Sequence, residues 1–165
     1  MTAPFRIEVL SAAHDRRGFS CGTVELDRYL QVQASQDVRR RVSACYVAID
    51  ADTDAVAGYF TLAASGIPLT DLPSELGRRL PRYPLVPVAL VGRLAIDVRY
   101  QGRKLGAALL WDAARRAARS EVIAFALVVD AKDAAAGSFY LRHGFVSLGI
   151  SRKLVLPLAT VAQRC

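Results

Sequence analysis

A chain of 165 residues, 53% hydrophobic and only 22% charged, has the length and apolar content of one ordinary folded domain over 1–165 and is not an intrinsically disordered polymer. No apolar run approaches the roughly 18 residues of a membrane span, and the N-terminal segment, with Arg6 and Glu8, lacks the pattern of a signal peptide. A cytoplasmic location without membrane contact is expected. The net charge of +7 rests almost entirely on arginine, whose planar fork suits phosphate, so it is either ordinary solubility charge or the footprint of a polyanionic substrate.

In chain order, Phe5 to Leu10 alternates as a first strand. Leu26, Leu30, Ala34 and Val38 then form a helical stripe that ends in Arg39, Arg40 and Arg41. Val42 to Ile49 and Val56 to Ala64 read as two strands joined by the polar loop Asp50 to Asp54. From Ser65 to Pro87 the prolines predict an ordered loop with one short helix near Ser74 to Leu80, carrying Arg78, Arg79 and Arg82. Val88 to Asp97 is a nearly continuous apolar strand broken by Gly92 and Arg93, of the kind buried on both faces in the middle of a sheet. Leu105 to Arg119 is an amphipathic helix, Val122 to Val129 the next central strand, and Ala134 to Arg142 a shorter helix stopped by Gly144. Phe145 to Leu156 closes the sheet.

Cys21, Cys45 and Cys165 are odd in number and unpaired in spacing, and His14 and His143 stand at no ligand spacing, so neither a disulfide framework nor a metal is expected. The informative segment is the glycine-bearing turn Gln101, Gly102, Arg103, Lys104, Leu105, Gly106 and Ala107, set between an apolar strand and a helix. Unpaired N–H groups and the positive end of a helix dipole attract an anion there, and Gly102 and Gly106 let a pyrophosphate approach the main chain. The turn lacks the Lys-Ser/Thr of a Walker A loop and the placement of a dinucleotide fingerprint, which argues against nucleotide hydrolysis and hydride transfer.

The turn resembles the acyl-CoA motif of the GCN5-related N-acetyltransferases (GNAT), Gln/Arg-x-x-Gly-x-Gly/Ala, with Gln101 and Gly106 at its ends and Lys104 where most members have glycine. Asp133 to Phe145 resembles the second signature, Asn-x-x-Ala-x-x-Phe/Leu-Tyr then Gly-Phe, with Asp133 in the asparagine position and Ala136, Phe139 and Tyr140 following; the resemblance implies that Asp133, Ala136 and Phe139 contact the cofactor. Four further blocks, Phe19 to Leu30, Gly58 to Leu62, Leu80 to Pro87 and Gly92 to Asp97, resemble the acetyltransferase toxins of type II toxin–antitoxin modules. The resemblance implies an α/β (α+β) GNAT fold. Its central sheet would be mixed and mostly antiparallel, flanked by helices, with a V-shaped splay between the central parallel strands.

It also implies transfer of acetyl from acetyl-CoA to the amino group of aminoacyl-tRNA, blocking translation. A homodimer and a small ribbon-helix-helix antitoxin are implied too, operator DNA being engaged only through the antitoxin. An amine attacking a thioester needs cofactor positioning, an oxyanion donor and a proton source. Leu94, Ala95 and Ile96 would line pantetheine and thioester, Gln101 to Ala107 would hold the pyrophosphate, and Tyr140 would protonate the leaving thiolate. Tyr140 as a packed core aromatic is the alternative. No carboxylate stands out as general base, and an α-amine with a reference pKa of about 7.7–8.0 has less need of one than a lysine. Arg39, Arg40, Arg41, Arg78, Arg79, Arg82, Arg152 and Lys153 are either tRNA phosphate contacts or a solvated face, and Arg93 faces either acceptor or cofactor. Rival readings are acetylation of a small amine or protein N-terminus, and a non-catalytic CoA-binding or nucleic-acid-binding subunit.

Overall fold

The computed structural model describes residues 4–149 and 151–164; Cys165 and Ile150 lie outside them. Two compact units emerge, one holding described residues up to Ala63 with Gly92–Ala113, the other Ala64–Val91 with 114–164. Two elements, β3 (Val56–Pro68) and α4 (Leu105–Arg119), run from one unit into the other.

In the first unit, β1 (Phe5–Val9) pairs antiparallel with β2 (Ala44–Asp50), and β2 pairs antiparallel with β3. The short β5 (Leu94–Ile96) lies antiparallel on β3 with Tyr59 opposite Ala95. The helical stripe is there but is not uniform: α1 (Val24–Arg28) passes into a π-helical turn, Tyr29–Gln33, before α2 (Ala34–Arg39). Its inner face packs Tyr29, Leu30 and Ala34 against Val47, Ile49 and Tyr59.

In the second unit, β4 (Leu85–Val91) pairs parallel with β6 (Ala126–Asp130), β6 antiparallel with β8 (Lys153–Pro157), and β8 with the two-residue β7 (Val146–Ser147). Val86, Val88, Ala126, Val128 and Val155 form its core with Ile67 and Leu72. The helices are α3 (Ser74–Gly77), α5 (Ala134–Arg142) and α6 (Leu158–Arg164). The fold class is mixed α/β with mainly antiparallel pairing.

Three boundaries differ from the sequence reading. The apolar stretch from Val88 to Asp97 is two strands with different partners, because Gly92 and Arg93 interrupt it: β4 runs parallel to β6 and β5 antiparallel to β3. Strand β6 begins at Ala126, and Val122 and Ile123 are 77% and 76% exposed, so apolar character there reflects no burial. The proline-rich span is shorter than expected, since β3 continues to Pro68 and β4 starts at Leu85; Pro87 fits the ladder because its carbonyl accepts the Phe125 N–H at 2.8 Å.

Candidate active site

Strand β5, the sequence candidate for lining the cofactor, is held by β3. A Cβ on Gly58 would stand 2.9 Å from Ile96 Cδ1 and 3.0 Å from the Ala95 carbonyl oxygen, so glycine alone lets β3 approach β5 this closely. The Thr61 N–H donates to the Arg93 carbonyl at 3.0 Å, and the Asp97 N–H donates to the Ala57 carbonyl at 2.8 Å. With Tyr59 opposite Ala95, antiparallel alternation turns the Ala95 backbone groups toward β3 and those of Leu94 and Ile96 to the other edge. Of the three residues assigned to the cofactor, Leu94 and Ile96 therefore offer main-chain groups and Ala95 supplies the pairing that fixes them.

Next comes a braced turn. Asp97 is 1% exposed; its carboxylate accepts the Ser20 N–H at 3.1 Å and the Arg99 N–H and Nε at 2.9 Å each. Burial pushes its pKa up, yet the Arg99 guanidinium and these N–H donors outweigh it and hold the carboxyl below its ordinary value. Asp97 is thereby the cap of the single turn Val98–Tyr100 rather than a free base. The Gln101 carboxamide donates to the Cys21 carbonyl at 3.0 Å and to the Ile96 carbonyl at 2.9 Å. The motif's first residue thus acts as a strap, and the Cys21 contact gives the Phe19 to Leu30 block a structural link to the turn.

The cradle follows. Gly102 has φ +82° and Lys104 φ +63°, so Lys104 takes up the left-handed conformation that glycine would adopt without strain. Gln101, Gly102, Arg103 and Lys104 are exposed, and α4 starts at Leu105 with no acidic residue in its first turn. The first intrahelical bond in sight runs from the Ala108 N–H to the Lys104 carbonyl. The N–H groups of Leu105, Gly106 and Ala107 have no partner one turn back and point out of the helix start. Arg103 and Arg99 flank the Tyr100 ring, their guanidinium carbons 5.4 and 5.5 Å from its centroid. Bare amides, a helix dipole and added cations fit a pyrophosphate such as that of acetyl-CoA.

The second signature lies in the other unit. Asp133 caps α5, its Oδ1 accepting the Ala136 N–H at 2.8 Å, which commits both residues to the helix start. Phe139 is half-buried, its ring 5.3 Å from Tyr140 and 4.7 Å from His143. Tyr140 is 7% exposed and packs on Phe145 at 5.6 Å. Burial, with some help from Asp130, pushes its phenol up to about 12. Among the described residues its hydroxyl has no hydrogen-bond partner, and no such unpartnered side-chain oxygen is sealed from solvent. The raised pKa keeps this hydroxyl protonated over the neutral range.

A model of the acetyltransferase (GNAT) domain matches residues 41–147. The chain belongs to the GNAT acetyltransferase family. Among its relatives is the tRNA-acetylating toxin of Mycobacterium tuberculosis (strain ATCC 25618 / H37Rv), 36% identical over 87% of this chain and 84% of the relative. Among solved structures, this acetyltransferase is similar to AtaT complexed with acetyl-methionyl-tRNAfMet, with a TM-score of 0.89 and 27% identity over 97% of this chain and 98% of that one. It is also similar to an AtaT mutant toxin bound to the C-terminus of the antitoxin AtaR and acetyl-CoA, with a TM-score of 0.83 and 25% identity over 98% of each chain.

The acetyltransferase's other sequence-derived candidates are scattered. Arg39, Arg40 and Arg41 are exposed at the end of α2 in the first unit, with Arg41 at φ +60°. Arg78, Arg79 and Arg82 are exposed in the second. Arg93, in the first unit, turns its guanidinium onto the Tyr29 ring at 3.6 Å from the centroid. Sequence reasoning missed Thr61, Asp97 and Tyr29, all three of which position the candidate site. Tyr29 stood inside a matched block, and the signal for Asp97 was its place immediately before a strand-ending turn.

Proposed function

We propose that this chain is a toxin acetyltransferase that moves the acetyl group of acetyl-CoA to the amino group of aminoacyl-tRNA and so blocks translation. The observation that carries the reading is the cradle from Gln101 to Ala107. Lys104, where most members of the family have glycine, takes the left-handed φ of +63° that glycine adopts without strain. Kinship with a tRNA-acetylating toxin at 36% identity supports the acceptor, and so do the net charge of +7 and the exposed arginine groups.

When bound, acetyl-CoA would supply an activated acetyl group, its carbon–sulfur bond breaking and CoA departing as the thiol. The Leu105, Gly106 and Ala107 amides bind its pyrophosphate, with Lys104 and Arg103 adding charge. Leu94 and Ile96 would align its pantetheine arm along β5, and Tyr140 would give its proton to the departing sulfur and recover one from the attacking amine, which loses it as the amide bond forms. Arg39, Arg40, Arg41, Arg78, Arg79 and Arg82 contact the phosphates of the acceptor RNA. The whole of 1–165 acts as one catalytic domain in the cytoplasm, as a homodimer restrained by a ribbon-helix-helix antitoxin that alone contacts operator DNA. No helix among the described residues is long and apolar enough to cross a membrane.

Incubation of the protein with labelled acetyl-CoA and charged or uncharged tRNA tests the reading. Acetylated aminoacyl ester only in the charged reaction supports it; label on free amines or protein N-termini without RNA, or binding without turnover, overturns it. Tyr140→Phe is expected to lower kcat on the order of 100-fold with little change in acetyl-CoA affinity. An unchanged rate removes Tyr140 from the chemistry.

A further inference from the structure

The helical stretch whose Tyr29 shares a core cluster with Tyr59 and Ala95 changes its winding midway. Within the π-helical turn Tyr29–Gln33, Tyr29 and Leu30 point inward and are 6% and 0% exposed, whereas Val32 points outward and is 60% exposed. Turns of this kind are uncommon and concentrate at functional sites. The Tyr29 hydroxyl donates to Asp37 Oδ2 at 2.7 Å, Gln33 donates to the other carboxylate oxygen at 3.0 Å, and the Tyr29 ring packs on Tyr59. The ring is thereby fixed at its edge and its face.

Arg93, immediately before β5, completes the arrangement. Its backbone N–H donates to Thr61 Oγ1 at 3.1 Å and its carbonyl accepts the Thr61 N–H at 3.0 Å, so the residue is set before any ligand arrives. Its guanidinium carbon lies 3.6 Å from the Tyr29 centroid, the spacing of face-to-face contact. Leu26, Tyr29, Val32 and Arg93 line an open groove of about 340 Å³ together with Glu25, Arg28 and Gln33. Glu25 and Arg28 bring it opposite charges. Asp37 is held by the Tyr29 hydroxyl and Gln33, and among the described residues no carboxylate makes an ion pair with Arg93.

We propose that this groove is the seat of the 3′-terminal nucleoside of the RNA acceptor, its base stacking on the Arg93 guanidinium and resting against Leu26 and Val32. The assignment rests on the aminoacyl-RNA reading above and names the part of the acceptor that the groove takes. A guanidinium plane backed by an aromatic ring is a stacking partner for any base, and its charge attracts the adjoining phosphate. The same cation is a poor wall for an apolar amino-acid side chain and repels an ammonium group. Reach agrees: Arg93 adjoins Leu94, and its Cα is at most about 7.6 Å from that of Ala95, two trans peptides away. A nucleoside seated on Arg93 therefore brings an amine attached to its ribose to the edge of β5.

The test compares two small acceptors carrying the same amino acid, one linked through a stable amide to 3′-amino-3′-deoxyadenosine and one as the methyl ester without a base. The native protein is expected to use the adenosine-bearing acceptor with a kcat/KM at least tenfold higher, the difference lying in KM. Arg93→Lys keeps the charge and removes the plane, and should collapse that preference to within about twofold. Val32→Glu, on an exposed position that folding does not depend on, should reduce it likewise by placing a carboxylate in the groove. Thermal midpoints and acetyl-CoA affinity report whether each variant is folded. A preference that survives both variants, or equal losses on both acceptors, overturns the assignment. If the native protein acetylates charged tRNA yet shows no preference for the adenosine acceptor, the groove assignment alone fails; if it acetylates no charged tRNA, the reading beneath it fails.

Discussion

The Gln101 carboxamide reaches the Ile96 carbonyl at 2.9 Å and, with the same nitrogen, the Cys21 carbonyl at 3.0 Å. One side chain therefore joins β5, the start of the cradle and the loop before α1. Gln101→Leu, similar in size but without donors, strands both carbonyls and frees the turn to move. Acetyl-CoA affinity measured by calorimetry should fall about tenfold, equivalent to about 1.4 kcal/mol, as both strap hydrogen bonds are lost and the turn loosens. Unchanged affinity would show that the cradle is shaped without the strap.

Gly58 and Gly66 lie on the same strand and make a matched pair. A Cβ at Gly58 meets the Ala95 carbonyl oxygen at 3.0 Å, and backbone cannot rotate away; at Gly66 the nearest atoms, from Leu85 and Val86, stand 3.8 Å off. Gly58→Ala is expected to cost about 1–3 kcal/mol in denaturant unfolding and to weaken acetyl-CoA binding by displacing β5. Gly66→Ala should leave both within error. Equal behaviour of the two variants would disprove the close approach as the reason for glycine.

How far this site is legible from sequence varies by element. The cradle and α5 are readable because glycine, capping residue and amphipathic period act locally. The π turn was written in the stripe Leu26, Leu30, Ala34, Val38 and was not extracted. Strict four-residue spacing drifts by about 40° per step on an ideal helix, so one wider turn is what lets all four face inward. The break in Val88 to Asp97 at Gly92 and Arg93 is legible locally, but the change of partner strand across it is not: Thr61, far away in sequence, receives Arg93. Val122 and Ile123 failed for the opposite reason, since apolar side chains at 77% and 76% exposure carry no signal of where the chain leaves the core.

Lys104 allows conformation and charge to be separated. Its φ of +63° costs a side-chain-bearing residue about 1 kcal/mol, which glycine avoids. Lys104→Gly should raise the unfolding free energy by a few tenths to about 1 kcal/mol, whereas Lys104→Ala, which keeps the strain, should not raise it. If the ammonium assists the pyrophosphate, both variants weaken acetyl-CoA binding to a similar extent and increasingly so at low salt. Weakening by alanine alone would assign the role to backbone geometry.

Alkaline pH probes the buried acids. Burial pushes the Cys45 thiol up to about 12 from 9.0, and burial first, then charged neighbours, takes Tyr29 and Tyr140 to about 12 from 10.0. Tyr59 moves in the same direction, chiefly by burial. In each case the fold favours the protonated, neutral form, so the unfolded chain releases its proton first as pH rises. The stabilisation is fully present below the ordinary values of 9.0 and 10.0 and is lost as pH climbs through them toward about 12. Denaturation midpoints should therefore be flat near neutrality and fall steadily above pH 9. Cys45→Ala should make the early part of that fall shallower, and Tyr140→Phe the later part. A midpoint that rises over this window, or a slope indifferent to both substitutions, would mean that these groups ionise within the folded protein as freely as in water.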